Sequence, residues 1–137
     1  MYQHLLIPIA DDEDRGRADA AFEIARALSA PDAKLTILHV IETIPAFIES
    51  QIPESALEKG RRETDAMLEA VAARAPAGAK TDVVSGHAGR AILDYAERWG
   101  ADCIVIGSHR PGVQDMFFGS TAAHVVRHAP CAVHVLR

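Results

Sequence analysis

The sequence predicts an α/β protein with a single open parallel sheet of five strands and four helices. Two observations carry this. Five short apolar runs recur along the 137 residues, and the segments between them place apolar residues at helical spacing. Such alternation implies βαβ units with right-handed crossovers. The runs are also apolar almost without interruption, as strands covered on both faces are.

The elements follow in order. "HLLIPIA" (4–10) is the first strand, short and bounded by acids. From Gly16 the period changes, and Ala18, Ala21, Phe22, Ala25 and Leu28 form a helical stripe, with Arg15, Arg17, Glu23 and Arg26 mostly off it. Asp12 or Asp14 is its expected cap, and Ala30-Pro31-Asp32 its stop. "KLTILHV" (34–40) is the second strand. The connection after it holds two prolines and several large apolar residues. Residues 44–52 suit a lid over a ligand, an arm on a partner subunit, or a loop tucked on its own domain.

A long helix starts near Pro53 or Glu54, with Leu57, Thr64, Leu68, Val71, Ala72 and Ala75 inward. Gly60 weakens its first turns by about 1 kcal/mol relative to Ala. "APAGA" ends it, and "KTDVVSG" (80–86) is the third strand. "AGRAILDYAERWG" is the third helix, with Ala91, Ile92, Tyr95, Ala96 and Trp99 inward and Gly100 as its stop. "DCIVIG" (102–107) is the fourth strand, "STAAHVVRH" the fourth helix and "CAVHVLR" the last strand. The whole chain, 1–137, reads as one domain of ordinary size.

Composition narrows the function. A formal net charge of -5, with 14 scattered Lys and Arg, argues against nucleic acid held by general electrostatics. No apolar run approaches the roughly 20 residues of a membrane span. The first residues lack the basic start of a secretory signal, and Cys103 and Cys131 sit in apolar runs as reduced core thiols. A cytoplasmic protein is expected.

The chemistry gathers after the fourth strand. Gly107 ends that strand, and the missing Cβ lets another group approach the backbone. Ser108, His109 and Arg110 follow, Pro111-Gly112 turns, and Gly119, Ser120 and Thr121 open a helix. A helix N-terminus offers free N–H groups and a favourable dipole to an anion. Ser120 and Thr121 add hydroxyls, and Arg110 adds a forked cation. The glycines equally suit plain turns and Ser120 a plain cap, so both readings stand on spacing alone. Open sheets of this kind bind ligands beyond the carboxyl ends of the strands where strand order reverses. With the first strand central, the loops after Ile9 and Gly107 face each other there. His124 and His128 are four apart on one helix, but no acidic or cysteine ligand stands beside them in sequence, so no metal site is expected.

"DCIVIGSHRP" with "FFGSTAAHVVRHAPCAVHVLR", together with "LLIPI", "ILHV" and "SGHAGRAILDYAERWGAD", resembles the universal stress protein family along the whole chain. "GSHRP" with "GS" shortly before "VVRHAPC" is similar to one small bacterial subgroup. The resemblance implies sheet order 3-2-1-4-5 in an adenine-nucleotide alpha-hydrolase-like fold, binding of ATP or AMP (with Mg2+ as the accompanying ion), and a homodimer. It assigns Pro8, Ile9, Ala10 and Asp11 to the ribose side and the Val40 backbone to adenine. Gly107, Ser108, His109 and Arg110, with Gly119, Ser120 and Thr121, would hold the phosphates. The last strand, 131–137, would pair with its twin across a two-fold axis and so remove an exposed edge.

The chain departs from the family pattern twice. Arg110 stands at the second glycine of the phosphate loop, which is one residue shorter here. Ala10 stands where many members carry a ribose-binding Asp, and Asp11 or Asp12 is the candidate substitute. Three functions therefore compete. The first is a nucleotide-binding stress regulator with an unknown protein partner and at most slow ATP hydrolysis or autophosphorylation, since no nucleophile is paired with a base. The second is a nucleotide-free dimeric interaction protein with a lapsed phosphate site. The third, a nucleotidyltransferase or ATP pyrophosphatase, needs an H-x-G-H or S-G-G-x-D-S motif, and the chain has neither.

Overall fold

The computed structural model describes residues 1–10, 15–108 and 119–137. The chain runs β1 (Tyr2–Ile9), α1 (Arg15–Leu28), β2 (Ser29–Glu42), α2 (Ala46–Glu49), α3 (Glu54–Arg74), β3 (Lys80–Gly86), α4 (Ala88–Trp99), β4 (Cys103–Gly107), α5 (Ser120–His128) and β5 (Ala132–Leu136). All pairings are parallel and the order is β3-β2-β1-β4-β5. The expected caps at Asp12 and Asp14 and the turn at Pro111-Gly112 lie outside the described residues.

The centre of β1 has Leu5, Leu6 and Ile7 fully buried. Alternate residues feed opposite faces, because strand side chains point up and down in turn. Leu5, Ile7, Leu35, Ile37, Cys103 and Val105 pack under α1 and α3. Leu6, Leu38, Ile104 and Ile106 pack under α4 and α5. The α1 stripe is seated as its spacing predicts, with Ala18, Ala21, Phe22 and Ala25 buried. Gly100 takes the left-handed conformation (φ 71°) that ends α4 and turns the chain into β4. There Asp102 ties β4 to β1, its carboxylate accepting the N–H of Gln3 (2.9 Å) and of His4 (2.9 Å).

Several expectations need correction. The connection after β2 contains a fifth, one-turn helix, α2, in which the N–H groups of Ile48 and Glu49 return to the Pro45 carbonyl. β2 is longer than 34–40, because Tyr2 pairs with Ser29 before the register shifts to His4–Lys34. Trp99 does not face inward and is 56% exposed. Its carbonyl lies 3.2 Å from His4 Nδ1, so the helix end is pinned by backbone while the indole lies out beside Tyr95 and under Arg98. The two cysteines are free, with Cys103 in the cluster under α1 and Cys131 beside the one under α4 and α5. Burial raises both thiols, that of Cys103 to about 11 with help from nearby Cys131 and Asp102, so neither is a ready thiolate.

Candidate ligand-binding site

β1 is followed by α1 on one face of the sheet, and β4 by α5 on the other, so the chain parts where these neighbouring strands end. A cavity of about 460 Å³ opens there, a size typical of small-molecule sites. Pro8, Ile9 and Ala10 line it from β1, and Val40 from β2. Gly107 and Ser108 line it from β4, and Gly119, Ser120 and Thr121 from α5. The structure thus brings nine of the sequence-selected residues together. Asp11, His109 and Arg110 lie outside the described residues.

The N-termini of α4 and α5, which both line the cavity, differ. At α4 the Glu42 carboxylate accepts the N–H of Ala88 at 3.1 Å, so an acid already occupies that end. At α5 the N-cap is Gly119 in extended conformation, and among the described residues no side chain caps it. The first N–H groups of a helix have no partner within it, and here they open onto the cavity. A helix start on which none of the described acids sits favours an anion.

Ser108 holds this corner in shape. Its N–H donates to the Leu136 carbonyl (2.8 Å), and its own carbonyl accepts the N–H of Gly119. The residue is buried, so β4, β5 and the start of α5 meet at one backbone position.

Three charged or polar cavity residues escaped the sequence reading. Arg17, one turn before Ala21 on α1, reaches over the end of β4. A Cβ at Gly107 would stand 3.0 Å from Arg17 Cδ and 3.3 Å from Nη1. A side chain at Gly107 would therefore crowd Arg17, whose outer atoms would have to give way. His39 is buried on β2, and its Nδ1 lies 2.8 Å from the Ile9 carbonyl. A carbonyl only accepts, so Nδ1 carries the proton of that hydrogen bond. Glu42 completes the set. The sheet order puts it on the β2 side, with Arg17 and the α5 amides on the β4 side. One end of the cavity is carboxylate-lined and the other cationic. The signals available were a lone histidine in an apolar strand and an arginine at the margin of a helical stripe.

The sequence model of the universal stress protein family matches residues 1–137. The chain belongs to the universal stress protein family. A universal stress protein of Thermus aquaticus is 31% identical over 139 residues, covering all of both chains. The solved universal stress protein UspA from Lactobacillus plantarum superposes with a TM-score of 0.75 at 29% identity, covering 99% of this chain and 98% of its own. The family fold is also shared with an Archaeoglobus fulgidus universal stress protein solved in complex with dAMP. That structure has a TM-score of 0.60 and 18% identity, covering 99% of this chain and 98% of its own. No helix among the described residues is long and apolar enough to cross a membrane.

Proposed function

We propose that this universal stress protein is a cytoplasmic, homodimeric regulator that binds an adenine nucleotide, ATP or AMP, at the β1–β4 switch point. The observation that carries the reading is the N-terminus of α5, capped by no described side chain and opening onto a cavity whose β4 side also holds Arg17. The phosphates lie against Gly119, Ser120 and Thr121 and near Arg17. The ribose lies over Pro8, Ile9 and Ala10, and the base reaches the Val40 backbone. Asp11, His109 and Arg110 remain assigned to the same ligand by the family resemblance alone. The dAMP held by the Archaeoglobus protein supports this ligand class.

Mg2+ has no dedicated cage in this reading. Among the described residues no group of three or more metal-ligating side chains exists, so the ion arrives with the phosphates and keeps most of its water. Ala10 supplies no carboxylate to the ribose, which makes phosphate contacts the main source of affinity. The whole chain acts as one domain, and 131–137 forms the dimer contact: β5 is an outer strand of the sheet, with a backbone edge that a second copy can pair.

The deciding measurement is calorimetric titration with ATP, AMP and cyclic AMP on the wild type and on Gly119→Val. Binding by the wild type and its loss in the variant are expected. Failure of the wild type to bind any of the three at millimolar concentration would leave the nucleotide-free interaction protein as the better reading. Light scattering at micromolar concentration should give twice the chain mass.

A further inference from the structure

Away from the cavity, α5 carries a second cluster of ligating side chains. His124 and His128 are four apart, one helical turn. Their rings are in contact, with centroids 4.7 Å apart and planes tilted by 53°. Among the described residues neither ring takes part in a hydrogen bond or ion pair. His124 is half-buried and its position is fixed: a Cβ at Gly89 of α4 would stand 2.8 Å from His124 Cδ2 and 3.0 Å from Cγ. The absence of that Cβ lets the Cδ2 edge of the ring lie against α4. His128 is exposed to solvent.

We propose that His124 and His128 form a bidentate site for a divalent transition cation of the Ni2+, Cu2+ and Zn2+ group. Imidazole is the ligand these ions favour, and two histidines at this spacing on one helix face are a known way to hold one. The ring spacing agrees with a chelate. Two imidazoles bound at about 2.0–2.1 Å, with an angle of about 90–110° at the metal, hold their centroids about 4.5–5.2 Å apart. The observed 4.7 Å falls in that window, so the rings need only turn a nitrogen each toward a common point. Preorganisation counts because one ring is already held by α4 and only His128 must be ordered on binding. No third ligating side chain joins the pair among the described residues. Water would complete the coordination where no further protein ligand reaches the ion. A structural site would instead be closed by four protein ligands.

The test is calorimetric titration of the tag-free chain with Ni2+ alone at pH 8, on wild type, His124→Ala, His128→Ala and, as a control, His87→Ala. One ion per chain is expected for wild type and for His87→Ala. Each variant of the pair should weaken binding on the order of a hundredfold, because a chelate loses its intramolecular second bond. His128→Ala removes an exposed side chain and keeps the fold, so it decides the matter even if His124→Ala disturbs the contact with α4. No saturable heat in the wild type, or the same affinity in His128→Ala, would overturn the site.

Discussion

Alanine in place of glycine should have opposite effects at two helical positions of this chain. In α3, nothing lies within 4 Å of a Cβ built on Gly60, so Gly60→Ala meets open space. It should gain the helix propensity that glycine withholds, about 0.5–1 kcal/mol. In α4, the Cβ of Gly89→Ala would meet His124 at 2.8, 3.0 and 3.2 Å, the last contact being to His124 Cβ. Carbon atoms settle at about 3.5–4.0 Å, so the α4–α5 contact must open by roughly 0.5–1 Å. His124 Cβ belongs to the helix frame, and rotating the ring relieves only part of the clash. Overpacking of this kind costs about 1–3 kcal/mol, less the propensity gain of up to about 1 kcal/mol. A net loss of about 1–2 kcal/mol should lower the melting temperature by about 5 °C, and Gly60→Ala should raise it by about 3 °C. Thermal unfolding followed by circular dichroism reads both. Adding His124→Ala to Gly89→Ala removes two of the three blocking atoms and should recover at least half of the loss. A Gly89→Ala protein melting at or above the wild type would refute the steric argument.

Three further outcomes follow from individual residues. Burial pushes the Asp102 carboxyl up, but the backbone N–H groups of Gln3 and His4 outweigh it and hold it below its ordinary 3.8. A depressed carboxyl stabilises the fold above its unfolded pKa, and that contribution fades as pH falls through the folded value. Asp102→Asn should therefore lose about 1–2 kcal/mol at pH 7, and the gap to wild type in urea unfolding should narrow from about pH 4 downward. Tyr95 is pushed up to about 12 by burial and by its hydrogen bond to Asp82, so its neutral form stabilises the fold below pH 10 and that help is lost between about 10 and 12. Ultraviolet titration should show a late tyrosinate step that Tyr95→Phe removes. Arg17→Ala should weaken ATP binding about 10- to 100-fold, the value of a charge-assisted hydrogen bond, while leaving adenosine binding unchanged. Equal loss for both ligands in calorimetry would place Arg17 away from the phosphates.

Much of the fold was legible because its signals are local. The unbroken apolar runs of β1 and β4 and the 3.6-period stripe Ala18, Ala21, Phe22 and Ala25 are signals that need no partner. Gly100 announced the end of α4 through its freedom to adopt positive φ. The misses depend on neighbours. Ser29 joins β2 only because Tyr2 lies opposite it. Trp99 continues the apolar stripe of α4, yet the carbonyl beside it is held by His4 and the ring stays outside. At the site, Gly107 and Gly119-Ser120-Thr121 were visible as strand end and helix start. Arg17 was not, since periodicity gives the direction of a Cα–Cβ bond and says nothing of where a long side chain ends.

Ser108 is where the interior of the molecule touches its border. One of its backbone groups holds the first turn of α5 and the other holds the far end of β5, an outer strand of the sheet. A guest that nudges this residue pulls on both at once. A shift of Ser108 would therefore be shared by a wall of the cavity and by an outer strand of the sheet.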